Sequence, residues 1–181
     1  MIPLQGEHII LRALEPSDLD YLYKWENDPE NWFVSNTLIP FSKYVLKKYI
    51  EHSGRDIYES KQLRLMIVLK KDKSDKNIPI GTVDLFDLDP YNLRAGIGIL
   101  VAQKEYRRKG IASEALELMV KYAFNHLRLH QLYCNIATDN QASLKLFQNS
   151  GFLITGEKKE WLKGKDGWVG EYILQLIHPE K

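Results

Sequence analysis

Apolar positions along this chain fall into two patterns: short β-branched runs and longer stripes at helical spacing. Residues 8–14 (His-Ile-Ile-Leu-Arg-Ala-Leu) predict a first strand, closed by Pro16-Ser17. Ser17 is the expected helix N-cap, with Asp18 and Asp20 in a first turn where the helix dipole favours negative charge. Leu19, Leu22 and Tyr23 then repeat at helical spacing up to Asn27-Asp28-Pro29. A second helix is expected after Pro40-Phe41-Ser42, with Val45, Leu46, Tyr49 and Ile50 on one face. Strands are expected over 63–69, 80–88 and 94–101, the first two joined by a polar loop at 70–77. Ile111, Ala115, Leu118, Met119, Tyr122, Ala123 and Leu127 mark the buried stripe of a long helix. A strand over 132–138 follows, then a helix over 140–150 stopped by Gly151, then two strands flanking Gly164-Lys165-Asp166-Gly167.

The order is βααβββαβαββ, a mixed α/β fold with a largely antiparallel central sheet of about seven strands and about four helices. No repeat or linker divides the chain, so residues 1–181 are expected to form one domain. Composition narrows the function classes. Twenty-five basic residues against 24 acidic ones leave a net charge of +1, which removes the general electrostatic argument for nucleic acid or an anionic membrane. The single cysteine, Cys134, sits in the apolar run Leu132-Tyr133-Cys134-Asn135-Ile136 and reads as a buried strand residue. His126 and His130 are four apart but lack the H-E-x-x-H pattern, so no metal is expected. Without a basic-then-apolar leader or a long apolar run, a cytoplasmic location is expected.

The segment 95–127 carries the clearest chemistry. A strand ends at Val101, a basic turn follows, and a helix begins near Gly110. Unpaired N–H groups at a helix N-terminus favour anions, Gly110 lets backbone approach a phosphate, and Arg107, Arg108 and Lys109 add positive charge. Together these point to a pyrophosphate cradle. It is not a Walker A loop, since G-x-x-x-x-G-K-[ST] is absent. Gly96-Ile97-Gly98 lies inside a strand with Val101 at the third glycine position, which argues against a dinucleotide fingerprint.

Arg107-x-x-Gly110-x-Ala112 matches the [QR]-x-x-G-x-[GA] motif of the GNAT acetyltransferase superfamily. The stretch from Asn140 through Ser143 and Phe147 to Gly151-Phe152 resembles that family's second signature, N-x-x-[AS]-x-x-x-[YF]-x-x-x-G-F. The opening (Leu11-Arg12-Ala13-Leu14, Asp18, then Trp25-Glu26-Asn27-Asp28-Pro29-Glu30) resembles ribosomal-protein-type N-terminal acetyltransferases and the related diamine/spermidine acetyltransferases. Gly81-Thr82-Val83-Asp84-Leu85 leans toward the latter. Those polyamine enzymes, however, carry glutamate where this chain has Gly96.

The resemblance implies a GNAT fold and direct transfer from acetyl-CoA to a primary amine, either a polyamine-like small amine or a peptide N-terminus. It places the coenzyme against Ile99, Leu100, Val101, Arg107, Arg108, Lys109, Gly110, Ile111, Ala112, Ser113, Asn140, Ser143 and Phe147. Backbone N–H groups at 99–101 would stabilise the oxyanion. Where many members supply a tyrosine to protonate the leaving thiolate, this chain has Phe147, so Ser143 becomes the candidate at the sulfur. Glu160 and Asp87 are the candidate bases, Asp87 being preferred to Asp84 on its match to an acceptor-binding glutamate. Trp25, Glu26, Asp28, Glu30, Trp32 and Phe33 mix aromatics with carboxylates as an ammonium site would, and Trp25, Asp28, Glu30, Trp32 and Asp87 are the expected acceptor contacts. Enzymes of this type often pair as homodimers. The absence of the tyrosine leaves open a catalytically silent acetyl-CoA-binding sensor.

Overall fold

In the computed structural model, residues 4–35, 37–70, 77–164 and 166–179 are described. The expected loop at 71–76, Lys165 and the side chain of Phe33 lie outside the described residues. Seven strands, β1 (Ile9–Arg12), β2 (Gln62–Leu69), β3 (Ile78–Asp89), β4 (Arg94–Val101), β5 (Gln131–Ala137), β6 (Leu153–Lys163) and β7 (Trp168–Ile177), form one sheet in the order β1-β2-β3-β4-β5-β7-β6. All neighbours are antiparallel except β4 and β5.

Six α-helices occur among the described residues: α1 (Leu19–Glu26), α2 (Pro29–Ser35), α3 (Lys43–His52), α4 (Ile57–Ser60), α5 (Ile111–Asn125) and α6 (Gln141–Asn149). The two beyond the expected four, α2 and α4, are too short to show a stripe in the sequence. Pro29 starts α2 with a pre-set φ and no N–H to lose. The Asp56 carboxylate starts α4 by accepting the N–H groups of Tyr58 and Glu59 at 2.8 and 3.1 Å.

The expected cap of α1 is corrected. A single helical turn (Pro16–Asp18) precedes the helix, and Ser17 makes no capping bond. Asp18, only 1% exposed, stands at the N-cap of α1 without a side-chain cap bond; its carboxylate accepts the Glu15 N–H at 2.8 Å and so closes a capping box on the preceding turn. Arg12 draws the carboxylate inward with a two-pronged pair at 2.6 and 2.7 Å. Helix α3 begins after Pro40-Phe41-Ser42 as expected, and Ser42 caps it by accepting the Val45 N–H at 3.2 Å.

Alternation along the strands divides the core. Leu65 and Ile67 of β2, Val83 and Leu85 of β3, and Ile97 of β4 pack with Ile111, Ala115, Leu116 and Met119 of α5. On the other face, Met66 and Val68 meet Leu22 and Trp25 of α1 and Leu46 and Ile50 of α3. One irregularity positions the site. The parallel pair β4–β5 is in register only at Arg94↔Gln131, Ala95↔Leu132 and Gly96↔Tyr133. Past Gly96 each strand keeps its outer partner, β3 or β7, while their inner edges part.

Candidate active site

The parting of β4 and β5 opens a cavity of about 450 Å³. Ile97, Gly98, Ile99 and Leu100 form one wall, and Cys134, Asn135, Ile136 and Ala137 the other. Asn140, Ser143 and Phe147 of α6 border it on one side. From the other, α1 and α2 cover it with Trp25, Glu26, Asn31 and Ser35, over Gln62, Arg64, Thr82, Asp84 and Phe86 of β2 and β3. Leu162 and Glu171 complete the lining. A strand edge without a strand partner inside a cleft must pair with something else, and an extended ligand carrying amide groups can take that place.

Following β4, the chain folds into an anion cradle. Arg107 turns back on the strand end, its Nε donating to the Val101 carbonyl at 2.8 Å and Nη2 to the Ala102 carbonyl at 3.4 Å. Its side chain therefore closes the loop. Arg108 (φ 61°) and Gly110 (φ 80°) both take the left-handed conformation, which suits Gly110 and strains Arg108. Nothing lies within 4 Å of where a Gly110 Cβ would stand, so the space before α5 is clear. The first intrahelical bond runs from Glu114 N–H to the Gly110 carbonyl at 3.0 Å, leaving the N–H groups of Ile111, Ala112 and Ser113 as the free first turn. Ile111 sends its side chain into the core at 5% exposure and offers the cradle only backbone, while Ser113 is exposed. Lys109 lies 5.7 Å from the Tyr106 ring centroid.

The other end of the site, inside the cavity, is built from side chains. Arg64 donates from Nε to Asp84 Oδ1 at 2.5 Å and from Nη1 to Glu26 Oε1 at 2.6 Å, with its guanidinium 5.4 Å from the Tyr49 ring centroid. Register places Arg64, Asp84 and Gly98 side by side across β2, β3 and β4, so Asp84 stands next to the strand whose inner edge is open. Burial pushes the Asp84 carboxyl above the ordinary range, Arg64 pulls it back in part, and Glu26 adds to the rise. Burial opposes the charge on Arg64, but Asp84, Tyr49 and Glu26 outweigh it and hold the guanidinium protonated. Burial also pushes the Tyr49 hydroxyl up to about 12. Glu171, 6% exposed, receives Lys158 Nζ at 2.7 Å.

Of the expected residues, Ile99, Leu100, Asn140, Ser143, Phe147 and Trp25 meet at the cavity. Asn140 caps α6, its Oδ1 accepting the Ser143 N–H at 3.1 Å, which fixes Ser143 at the lining. Phe147 is 4% exposed and packs edge-on against Phe152, ring centroids 5.1 Å apart. Val101 is half-buried at the strand end. The others lie elsewhere. Asp28 accepts the Glu30 N–H at 3.0 Å at the start of α2, Glu30 is exposed and pairs with Lys104 at 2.6 Å, and the Trp32 indole donates to the Glu26 carbonyl at 2.8 Å. Glu160 is exposed, in a β6 bulge at φ 49°. Asp87 (φ 49°) lines a separate groove of about 760 Å³, where it accepts the Tyr133 hydroxyl at 3.3 Å. Asp84, set behind Asp87 on sequence grounds, is the one in the cavity.

Arg64 and Glu171 had not been singled out from the sequence. For Arg64 there was a signal: it is the one charge in the apolar run Leu63-Arg64-Leu65-Met66-Ile67-Val68. Gly96 also gains a physical account. A Cβ there would fall 2.2 Å from the Phe86 ring, so the space a glutamate side chain needs is filled by an aromatic. Phe86 in turn meets Tyr133 edge-on at 6.1 Å.

Comparison with known proteins agrees with this fold. Residues 8–153 match the acetyltransferase (GNAT) domain family. The chain is 28% identical over 181 residues to the uncharacterized N-acetyltransferase p20 of Bacillus licheniformis, covering 99% of this chain and 98% of that one. It is 26% identical over 150 residues to the spermidine N(1)-acetyltransferase of Escherichia coli, covering 81% and 74%. A crystal structure of spermidine N-acetyltransferase from Vibrio cholerae in complex with CoA and spermine superposes with a TM-score of 0.81 at 22% identity, covering 95% of this chain and 96% of that one.

Proposed function

Because the chain belongs to the GNAT acetyltransferase family, an acetyl-transferring class of enzyme, we propose that it moves the acetyl group of acetyl-CoA to a small aliphatic amine of the polyamine type. The observation that carries this reading is a site with two ends: the open edge of β4 leading on to the backbone anion cradle before α5, and a carboxylate-rich cavity beside that edge. The spermidine enzymes among its relatives favour a small polyamine-type amine over the peptide N-terminus.

The coenzyme fits the first end. The open inner edge of β4 would pair with its amide-bearing arm, and the free first turn of α5 with its pyrophosphate. When bound, acetyl-CoA supplies a thioester carbonyl open to attack by a neutral amine. Backbone N–H groups of residues 99–101 would meet the negative charge growing on the carbonyl oxygen. An aliphatic amine arrives protonated, with a pKa of about 10.4, and must lose that proton. Asp84 stands beside Gly98 of β4, and its raised pKa makes it a better proton acceptor than an exposed acid. Ser143 offers a hydroxyl on the α6 side for the departing sulfur, where Phe147 has none to give.

One observation favours the silent-sensor alternative: Phe147 is packed on Phe152 and has no proton to donate. A single assay separates the two. Purified protein is incubated with acetyl-CoA and putrescine, spermidine, alkylamines, amino acids or short peptides, and both thiol release and acetylated product are followed. Transfer to small amines sustains the enzyme reading. Coenzyme binding without transfer to any amine would overturn it in favour of the sensor.

A further inference from the structure

The carboxylates at the acceptor end do not by themselves set its charge. Glu26, Asp84 and Glu171 line the cavity against one guanidinium, Arg64. Lys158 reaches Glu171 from the neighbouring strand at 2.7 Å, so that pair cancels. What remains is Glu26, Arg64 and Asp84, a unit with one net negative charge joined by contacts of 2.5 and 2.6 Å. Packing does not call for an arginine here. Its neighbours on the same face of β2 are the buried apolar Met66 and Val68, and buried ion groups seldom stabilise a fold more than apolar side chains of similar size.

On the acetyl-transfer reading above, we propose that Arg64 sets the charge of the amine this pocket accepts. The pocket takes one ammonium and discriminates against acceptors with a second positive charge close to the reacting nitrogen. Among small aliphatic amines this favours monoamines and widely spaced diamines over short-spaced diamines and spermidine. The guanidinium cannot swing aside, because Asp84, Glu26 and the Tyr49 ring hold it on three sides, and it keeps its proton at working pH. An incoming ammonium neutralises the unit. A second one, three or four methylenes along, meets the fixed guanidinium and, among the described lining residues, no spare carboxylate. Glu171 is spent on Lys158, and position 96 supplies none because the Phe86 ring fills its space. Repulsion from the nearby guanidinium, offset in part by its own two carboxylates, weakens binding by about tenfold.

The test is kcat/KM for α,ω-diaminoalkanes of three to eight methylenes and the matching n-alkylamines, with wild type, Arg64→Met and Glu26→Gln. In wild type the diamine-to-monoamine ratio should be lowest for diaminopropane and climb with chain length. Arg64→Met should raise the diaminopropane-to-propylamine ratio by about tenfold or more, mainly through KM. Glu26→Gln, which keeps the arginine and so guards against loss of folding in the first variant, should move the ratio the other way. A wild type that prefers diaminopropane or spermidine to propylamine overturns the proposal, as do variants that scale every amine by one common factor. Wild type that acetylates no amine at all would instead overturn the transfer reading, and this inference with it.

Discussion

The two ends of the site are made in different ways. The coenzyme end is built from backbone: the open edge of β4, the left-handed Gly110 and the free first turn of α5, drawn from one stretch between Arg94 and Ser113. The acceptor end is built from side chains that meet only in the fold: Glu26 of α1, Arg64 of β2, Asp84 of β3 and Glu171 of β7. Backbone geometry serves any member that binds the same coenzyme. Scattered side chains can be exchanged one at a time, and it is there that an acceptor can be chosen.

Damage at one end should therefore spare the other. Gly110→Glu combines an unfavourable φ with a carboxylate at the anion cradle. It should cut acetyl-CoA affinity by about a hundredfold or more in calorimetry. Arg64→Ala leaves Glu26 and Asp84 unpaired and mostly buried. It should cost about 3–5 kcal/mol in urea denaturation yet leave coenzyme affinity within about twofold. A loss of coenzyme binding in that variant would break the division between the ends.

Asp84 sharpens it through pH. Its folded pKa lies above the ordinary carboxylate value because burial penalises the charge. The stability it contributes is therefore full below the ordinary carboxylate range and lost as pH rises through the raised value. Activity should move the opposite way, rising over the same window as the base ionises. Asp84→Asn should abolish that limb of the kcat/KM profile and flatten the matching slope in stability. Ser143→Ala should lower kcat by about tenfold with little change in coenzyme affinity. The smallest effect concerns Cys134, 2% exposed with its thiol pushed by burial up to about 12. It should resist thiol reagents at neutral pH in the native state and react only on unfolding.

The same contrast explains what could be read from the sequence. Helix α5, its glycine entry and the Asn140 cap announce themselves because spacing within one segment encodes them. The succession of strands along the chain and the long helices followed from alternation and stripe. The short helices α2 and α4 carried no period to detect. At the acceptor end, strand parity alone could not choose between Asp84 and Asp87. Alternation puts the two on opposite faces of β3, and only the register of Arg64, Asp84 and Gly98 shows that the Asp84 face is the one at the cavity. Glu160 sits in a bulge of β6, which no period in the sequence marks. Arg64 was visible as a charge in an apolar strand, but its partners lie 38 and 20 residues away, and only the register brings them together.

Hydrogen exchange during stepwise ligand addition tests the division most directly. Acetyl-CoA alone should slow exchange at residues 98–101 and 110–113 and leave 25–35 and 62–64 unchanged. A subsequent amine, given with CoA to prevent turnover, should then protect 25–35 and 62–64. Acetyl-CoA that protects neither 98–101 nor 110–113, or that protects the acceptor residues instead, would contradict the account.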